Sequence, residues 1–293
     1  MDGLLLYFED ERLLAGQIAR AADMRAVQVK RHRFPDGELK LQLPAALPAR
    51  VVLLRGLDMP NEKLVELLLV AQAARSLGVG HLTLIAPYLA YMRQDMAFVP
   101  GEIVSQQVVG GFLASLFDAV ITVDPHLHRV SRLSDAVPAR QAIALSAAPL
   151  LAGLIAARRP GAVLIGPDAE ADQWVAAAAA AHGFDYAVCV KQRHGDREVD
   201  VALPGLSVKG RSVVLMDDVA SSGHTLARAA EKLLAAGAAS VDVAVTHALF
   251  ADHALTTVLA AGVGEIWSTD CIAHPSNAVS VAPMLARALG ELS

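Results

Sequence analysis

Short apolar runs alternate with longer segments of helical periodicity along the whole chain, and this alternation constrains the fold more than any other feature. The runs fall at 4–8, 51–54, 81–85, 119–123, 163–165, 186–190, 212–216, 241–247 and 265–268. They are short, often β-branched, and bounded by Gly, Pro or Asp, which predicts strands. Between them, segments 10–22, 60–77, 101–115, 147–159, 171–183, 225–236 and 251–261 predict helices. In the second of these, Leu64, Leu67, Leu68, Ala71 and Ala74 recur at helical spacing. Continuous apolar strands joined by helices predict an α/β fold whose mainly parallel sheet is covered on both faces.

The pattern runs through twice. Leu-Gly-Val-Gly before His81 and Ala-Gly-Ala-Ala before Ser240 each place a glycine where a helix C-cap would feed the next strand. A chain of 293 residues suits two domains of roughly 150 residues each. The expected division is 1–145 and 146–293.

Composition narrows the function classes. Hydrophobic residues make up 54% and charged residues 19%, which excludes a disordered chain. A net charge of −5 gives no general attraction to nucleic acid or to an anionic membrane, so any anion site must be local. Cys189 and Cys271 stand far apart with no metal-ligand spacing and read as buried thiols in a reducing cytosol. The N-terminal apolar run is flanked by acids and lacks a basic segment and a cleavage site, so it does not read as a signal peptide. No apolar stretch has the length of a membrane span. The expectation is a cytoplasmic protein.

The segment VVLMDDVASSGHTLARAAEKLLAAGA carries the clearest chemistry. An apolar strand is expected to end in Asp217 and Asp218, and a small-residue turn then opens a helix near Thr225. Such a turn presents backbone N–H groups at a helix N-terminus, the place for a phosphate. Ser221, Ser222, Gly223, His224 and Thr225 form it, and the two carboxylates stand in reach of a sugar's vicinal hydroxyls. The plainer alternative, a βα turn with an Asx cap, needs one carboxylate rather than two.

This segment resembles the ribose-phosphate loop of the type I phosphoribosyltransferase fold, and the rest of the chain resembles the ribose-phosphate pyrophosphokinase family through further motifs in order. The resemblance implies two tandem phosphoribosyltransferase-type domains, an N-terminal one on the ATP side and a C-terminal one holding ribose 5-phosphate. It implies transfer of the β,γ-pyrophosphoryl group of ATP to the 1-hydroxyl of ribose 5-phosphate, with Mg2+. In RFPDGELKLQLP, Asp36-Gly37-Glu38 by itself reads as a turn before a strand. The resemblance gives Phe34, Asp36 and Glu38 to the nucleotide, with Phe34 stacking on adenine. It also implies a homodimer or higher homo-oligomer in which this loop approaches a neighbouring subunit's site.

In APYLAYMRQDM, Arg93 offers a planar fork and Gln94 an amide, suited to a phosphate and a base, and Asp95 is placed to hold Arg93. By itself this reads equally well as a surface loop. The resemblance gives all three to ATP, although Met96 replaces the usual basic residue. In ITVDPHLHRV, a lone His126 after a strand is ordinarily a satisfied polar residue. The resemblance makes it a ligand of the metal on the ATP phosphates, and makes Asp168 of Gly-Pro-Asp the second. His128 and Arg129 depart from the small residues of common bacterial members and look like a shorter, archaeal-type branch. Glu170, Asp172 and Trp174 replace a surface that is small and basic in the family. Lys191 and Arg193 read locally as the start of a solvated hairpin. In the family they open a loop over the transferring group and stabilise its charge, so they are the expected catalytic pair. Three rival readings are a phosphoribosyltransferase, which would have one α/β domain with a hood rather than two tandem halves, a pyrophosphokinase with a changed sugar-phosphate acceptor, and a non-catalytic regulatory homologue that should have lost Lys191, Arg193 or His126.

Overall fold

The computed structural model describes residues 3–127, 129–194, 198–203 and 205–292, and the side chains of 191–202 lie outside what it describes. The chain divides into two compact units: 1–145 with 280–293, and 146–279. In the first, strands β1 (Leu4–Tyr7), β2 (Arg25–Gln28), β5 (Arg50–Leu54), β6 (His81–Ala86), β7 (Ala119–Val123) and β8 (Gln141–Leu145) form a six-stranded sheet in the order β2-β1-β5-β6-β7-β8. Every pairing is parallel. β3 (Lys30–Arg33) and β4 (Leu39–Gln42) make a separate antiparallel hairpin. The helices are α1 (Arg12–Ala21), α2 (Pro60–Ser76), α3 (Ser105–Leu116) and a single turn, α4 (Leu133–Ala136).

The second unit repeats the plan. Strands β9 (Val163–Gly166), β10 (Asp185–Val188), β13 (Ser212–Ala220), β14 (Ser240–Ala248), β15 (Ile266–Thr269) and β16 (Asn277–Val279) form a parallel sheet in the order β10-β9-β13-β14-β15-β16. Its hairpin is β11 (Val190–His194) with β12 (Glu198–Ala202). The helices are α5 (Ala148–Arg158), α6 (Asp172–His182), α7 (His224–Ala235) and α8 (Ala254–Ala260).

Strand alternation decides the layers, because successive side chains point to opposite faces. Val213, Leu215, Val243 and Val245 pack with Leu226, Ala230 and Leu233 of α7. Val214, Met216 and Ala244 pack on the other face with Leu151 of α5 and Trp174 and Ala178 of α6. Each sheet is therefore sandwiched, as the sequence predicts. Gly78 (φ +89°) and Gly237 (φ +91°) are the left-handed residues that close α2 and α7.

Three expectations need correction. Residues 280–293 pack with the first unit, because α9 (Ala282–Glu291) lies against α1 and β8. The helix expected from 101 begins only at Ser105: Gly101 is left-handed (φ +86°), and the Glu102 carboxylate accepts from the N–H groups of Phe98 and Val99. Asp252 (φ +51°) likewise delays α8 to Ala254. Among the described residues, no helix is long and apolar enough to cross a membrane.

Candidate active site

In both sheets the first strand in sequence has its second to one side and its third to the other. The crevice beyond the carboxyl ends of those central strands is the binding position of such a fold. In the second unit it lies beyond β9 and β13.

β13 does not stop at Met216, as the sequence leads one to expect. It continues through both aspartates to Ala220, because β14 keeps pairing with it at Asp217↔Val245, Val219↔His247 and Ala220↔Ala248. Asp217 is half-buried and Asp218 is buried. The Asp218 N–H donates to Asp217 Oδ1 at 3.0 Å. Burial, then the neighbouring charges of Asp218 and Asp168, push the Asp217 carboxyl well above the usual range. A concentration of negative charge at this edge suits sugar hydroxyls or a cation.

The turn after β13 is fixed from behind. Ala220 O accepts from Phe250 N at 2.8 Å, and Ser221 O accepts from Ala251 N at 3.0 Å. Gly223 has φ +73°, and a Cβ there would stand 2.8 Å from Val258 Cγ2 and 3.0 Å from the Ala254 carbonyl. Both conformation and space therefore demand glycine. No side-chain hydrogen bond caps α7, and an uncapped helix N-terminus has the character that favours an anion. Ser222 and His224 are exposed there, and Ser221 and Thr225 are half-buried.

Asp168 follows β9 across the same crevice. It is buried, and its Oδ1 accepts from Glu170 N at 3.0 Å, capping the short turn Ala169–Ala171 ahead of α6. Trp174 is buried in the core, so that departure from the family concerns packing rather than the site surface. Cys189 and Cys271 are free and buried, and burial pushes the Cys189 thiol up to about 11, which keeps it unreactive. Lys191 and Arg193 belong to β11 by their backbone, and their side chains lie outside those described.

In the first unit, Phe34 to Glu38 turn between β3 and β4. Gly37 N donates to Phe34 O at 3.0 Å, Gly37 is left-handed (φ +93°), and Phe34 N donates to Glu38 O at 2.8 Å. This is the three-residue hairpin loop that ends in a left-handed glycine. Asp36 Oδ1 accepts from Glu38 N at 3.2 Å. Phe34 is exposed, with its ring edge-on to His32 at 4.8 Å.

Arg93 is exposed and, among the described residues, has no ion-pair partner. Asp95 does not hold it. Asp95 pairs with Arg129 at 2.5 Å, and that guanidinium also lies over the Phe98 ring, so the better-packed cation takes the carboxylate. Gln94 Nε2 donates to Met96 O at 2.9 Å. His126 is half-buried just beyond β7, behind Asp124, whose φ is +37°. His128 lies outside the described residues. Among the described residues, no group of three or more His, Cys, Asp or Glu is placed to hold a metal by itself.

The sequence reading passed over one group. At the ends of β1 and β5, the counterparts of β9 and β13, Arg55 is buried and meets Asp10 at 2.7 Å, Glu66 at 2.5 Å and Glu11 at 3.4 Å. Its guanidinium lies 4.4 Å from the centre of the Phe8 ring. The signal was an arginine directly after the apolar run Val51 to Leu54, at the position that Asp217 holds in the second half.

Two tandem parallel sheets, one ending in an acidic strand and an uncapped helix behind a forced glycine, define a protein of the phosphoribosyltransferase class. Comparison with known proteins narrows this. Residues 4–116 match the family model for the N-terminal domain of ribose phosphate pyrophosphokinase, and 134–258 match that for the phosphoribosyl transferase domain. The chain is 38% identical over 283 residues to a ribose-phosphate pyrophosphokinase of Methanopyrus kandleri, covering 96% of each. It is 32% identical to one of Halobacterium salinarum, covering 98% of this chain and all of the other. Its fold superposes on the crystal structure of phosphoribosylpyrophosphate synthetase from Mycobacterium smegmatis with a TM-score of 0.85 at 25% identity, covering 99% and 98% of the two chains. The chain belongs to the ribose-phosphate pyrophosphokinase family, and with it to the enzymes that transfer a pyrophosphoryl group.

Proposed function

We propose that ribose 5-phosphate binds at the crevice of the second unit and accepts the β,γ-pyrophosphoryl group of ATP, giving 5-phosphoribosyl 1-pyrophosphate and AMP. The observation that carries the placement is Gly223, pinned against α8 at the uncapped head of α7 behind Asp217 and Asp218. The 5-phosphate takes the N–H groups and hydroxyls of 221–225, and the two aspartates take the ribose hydroxyls. ATP lies with Phe34, Asp36, Glu38, Arg93 and Gln94. Asp95 supports that loop through Arg129 rather than through Arg93. The 1-hydroxyl oxygen forms a bond to the β-phosphorus and gives up its proton. The bond from that phosphorus to the α-phosphate oxygen breaks, and AMP leaves. Such a reaction asks for positioning and charge compensation rather than covalent catalysis, and Lys191 and Arg193 supply the cations.

Mg2+ on the ATP phosphates fits these residues. A cation would relieve the crowding of Asp168, Asp217 and Asp218, and Mg2+ takes oxygen ligands of this kind. His126 and Asp168 would be the residues to hold the ion, which would supply charge neutralisation. The enzyme works as a homodimer or larger oligomer, with the exposed 34–38 turn offered to a neighbour. Two free buried thiols are in keeping with the cytoplasm.

His224, exposed at the head of α7 where the family usually has glycine, favours one second reading: a changed sugar-phosphate acceptor. One experiment separates the two. With ATP and Mg2+, AMP release should depend on added ribose 5-phosphate. Release that ignores ribose 5-phosphate but follows another sugar phosphate supports the changed acceptor.

A further inference from the structure

The β3–β4 hairpin stands apart from the main sheet, and β3, Lys-Arg-His-Arg, is exposed along its length. Apolar burial therefore does little to place β3. Charge does: Arg31 Nη1 donates to Glu66 at 2.5 Å, and Arg33 pairs with Glu62, both carboxylates belonging to α2. Glu66 is completely buried. A carboxylate so placed is stable only with close compensation, and a second cation provides it. Arg55 Nη2 meets the other Glu66 oxygen at 2.5 Å, as an ion pair rather than an aligned hydrogen bond. Arg55 is held in turn by Asp10, Glu11 and the Phe8 face. Glu66 thus sits between a cation of the rigid sheet edge and a cation of the hairpin.

We propose that Glu66 is a positioning residue for the nucleotide: clamped by Arg55, it fixes β3 through Arg31 and so sets where Phe34, Asp36 and Glu38 stand. The inference rests on the reading that the 34–38 turn binds ATP. Leu41 and Leu43, from β4 and just beyond it, pack against the core. Loss of the Arg31 contact therefore leaves the hairpin docked while β3 and its turn gain freedom. The consequence is a selective defect in nucleotide binding.

The test uses the full chain with ATP and ribose 5-phosphate varied separately, comparing Arg31→Met, Arg31→Lys, Glu66→Gln and Phe34→Ala. Arg31→Met should raise the KM for ATP about five- to tenfold, with kcat and the KM for ribose 5-phosphate within about twofold. Arg31→Lys should recover part of the loss. Arg31 is half-exposed at its side chain, so its variants keep the test open if Glu66→Gln fails to fold. If Phe34→Ala raises the KM for ATP and Arg31→Met does not, positioning by Glu66 is overturned and the nucleotide reading stands. If Phe34→Ala has no effect on that KM, the nucleotide reading falls and the inference with it. A lower melting temperature and lower kcat for Arg31→Met, with the KM for ATP unmoved, marks a merely structural contact and also overturns the proposal.

Discussion

The two units share a strand order and differ in what they place at the same point of it. Beyond β1 and β5, the cations Arg55 and Arg31 stand among Asp10, Glu11 and Glu66. Burial pushes Asp10 up, but the hydrogen bond and charge of Arg55 outweigh it, and the carboxyl ends below its usual range. Beyond β9 and β13, carboxylates crowd one another, and burial, Asp218 and Asp168 drive Asp217 up. The first crevice is closed by its own salt bridges, whereas the second presents acid groups beside an uncapped helix. One topology thus supports two arrangements of charge: ion pairs around a buried arginine in the first unit, and crowded carboxylates beside the head of a helix in the second.

The comparison breaks if the second unit's charges prove structural or the first unit's prove dispensable. The largest effect expected is on Lys191→Ala, which should lower turnover by about a hundredfold to a thousandfold, as for a lost transition-state donor. Its binding of ribose 5-phosphate should change little, and steady-state kinetics with a binding titration check both. Arg55→Met strips buried Glu66 and Glu11 of a shared cation and should destabilise the chain by about 3–5 kcal/mol. Denaturant unfolding reads this. Asp218→Asn should weaken ribose 5-phosphate about tenfold, the loss of one charge-assisted hydrogen bond, read by a binding titration.

The smallest effect concerns pH. Burial raises the Glu11 carboxyl to about 8 against the pull of Arg55. A folded-state pKa above the unfolded value of 4.5 favours the protonated fold, so this contribution is complete below that value and is lost as pH rises towards about 8. Melting temperatures of wild type and Glu11→Gln should therefore diverge with pH, the wild type losing a few degrees relative to the variant by pH 9. Parallel curves would remove Glu11 from the account.

Much of this was legible in the sequence, for physical reasons. Buried parallel strands must be continuously apolar, so β5, β6, β7 and β14 announce themselves. Gly78 and Gly237 mark helix ends because only a left-handed residue closes them. Asp217, Asp218 and the small residues after them stand out in the sequence as a candidate site because a plain turn needs neither. Edge and hairpin strands were not: β2 and β3 are half-buried or exposed and carry no apolar pattern. The extension of β13 through its aspartates depends on the length of β14, which local sequence does not contain. The choice of Arg129 by Asp95, and the return of α9 to the first unit, are long-range contacts of the same kind.

The central claim is that the second unit's crevice takes the sugar phosphate, and calorimetric titration of ribose 5-phosphate into wild type and Gly223→Ala tests it most directly. The added methyl meets Val258 and the Ala254 carbonyl and opposes the left-handed backbone, so it should shift the turn that receives the phosphate. The account predicts ribose 5-phosphate binding at least about tenfold weaker in a folded protein of lower melting temperature, with ATP binding close to wild type. Unchanged ribose 5-phosphate affinity in a folded Gly223→Ala protein would contradict it.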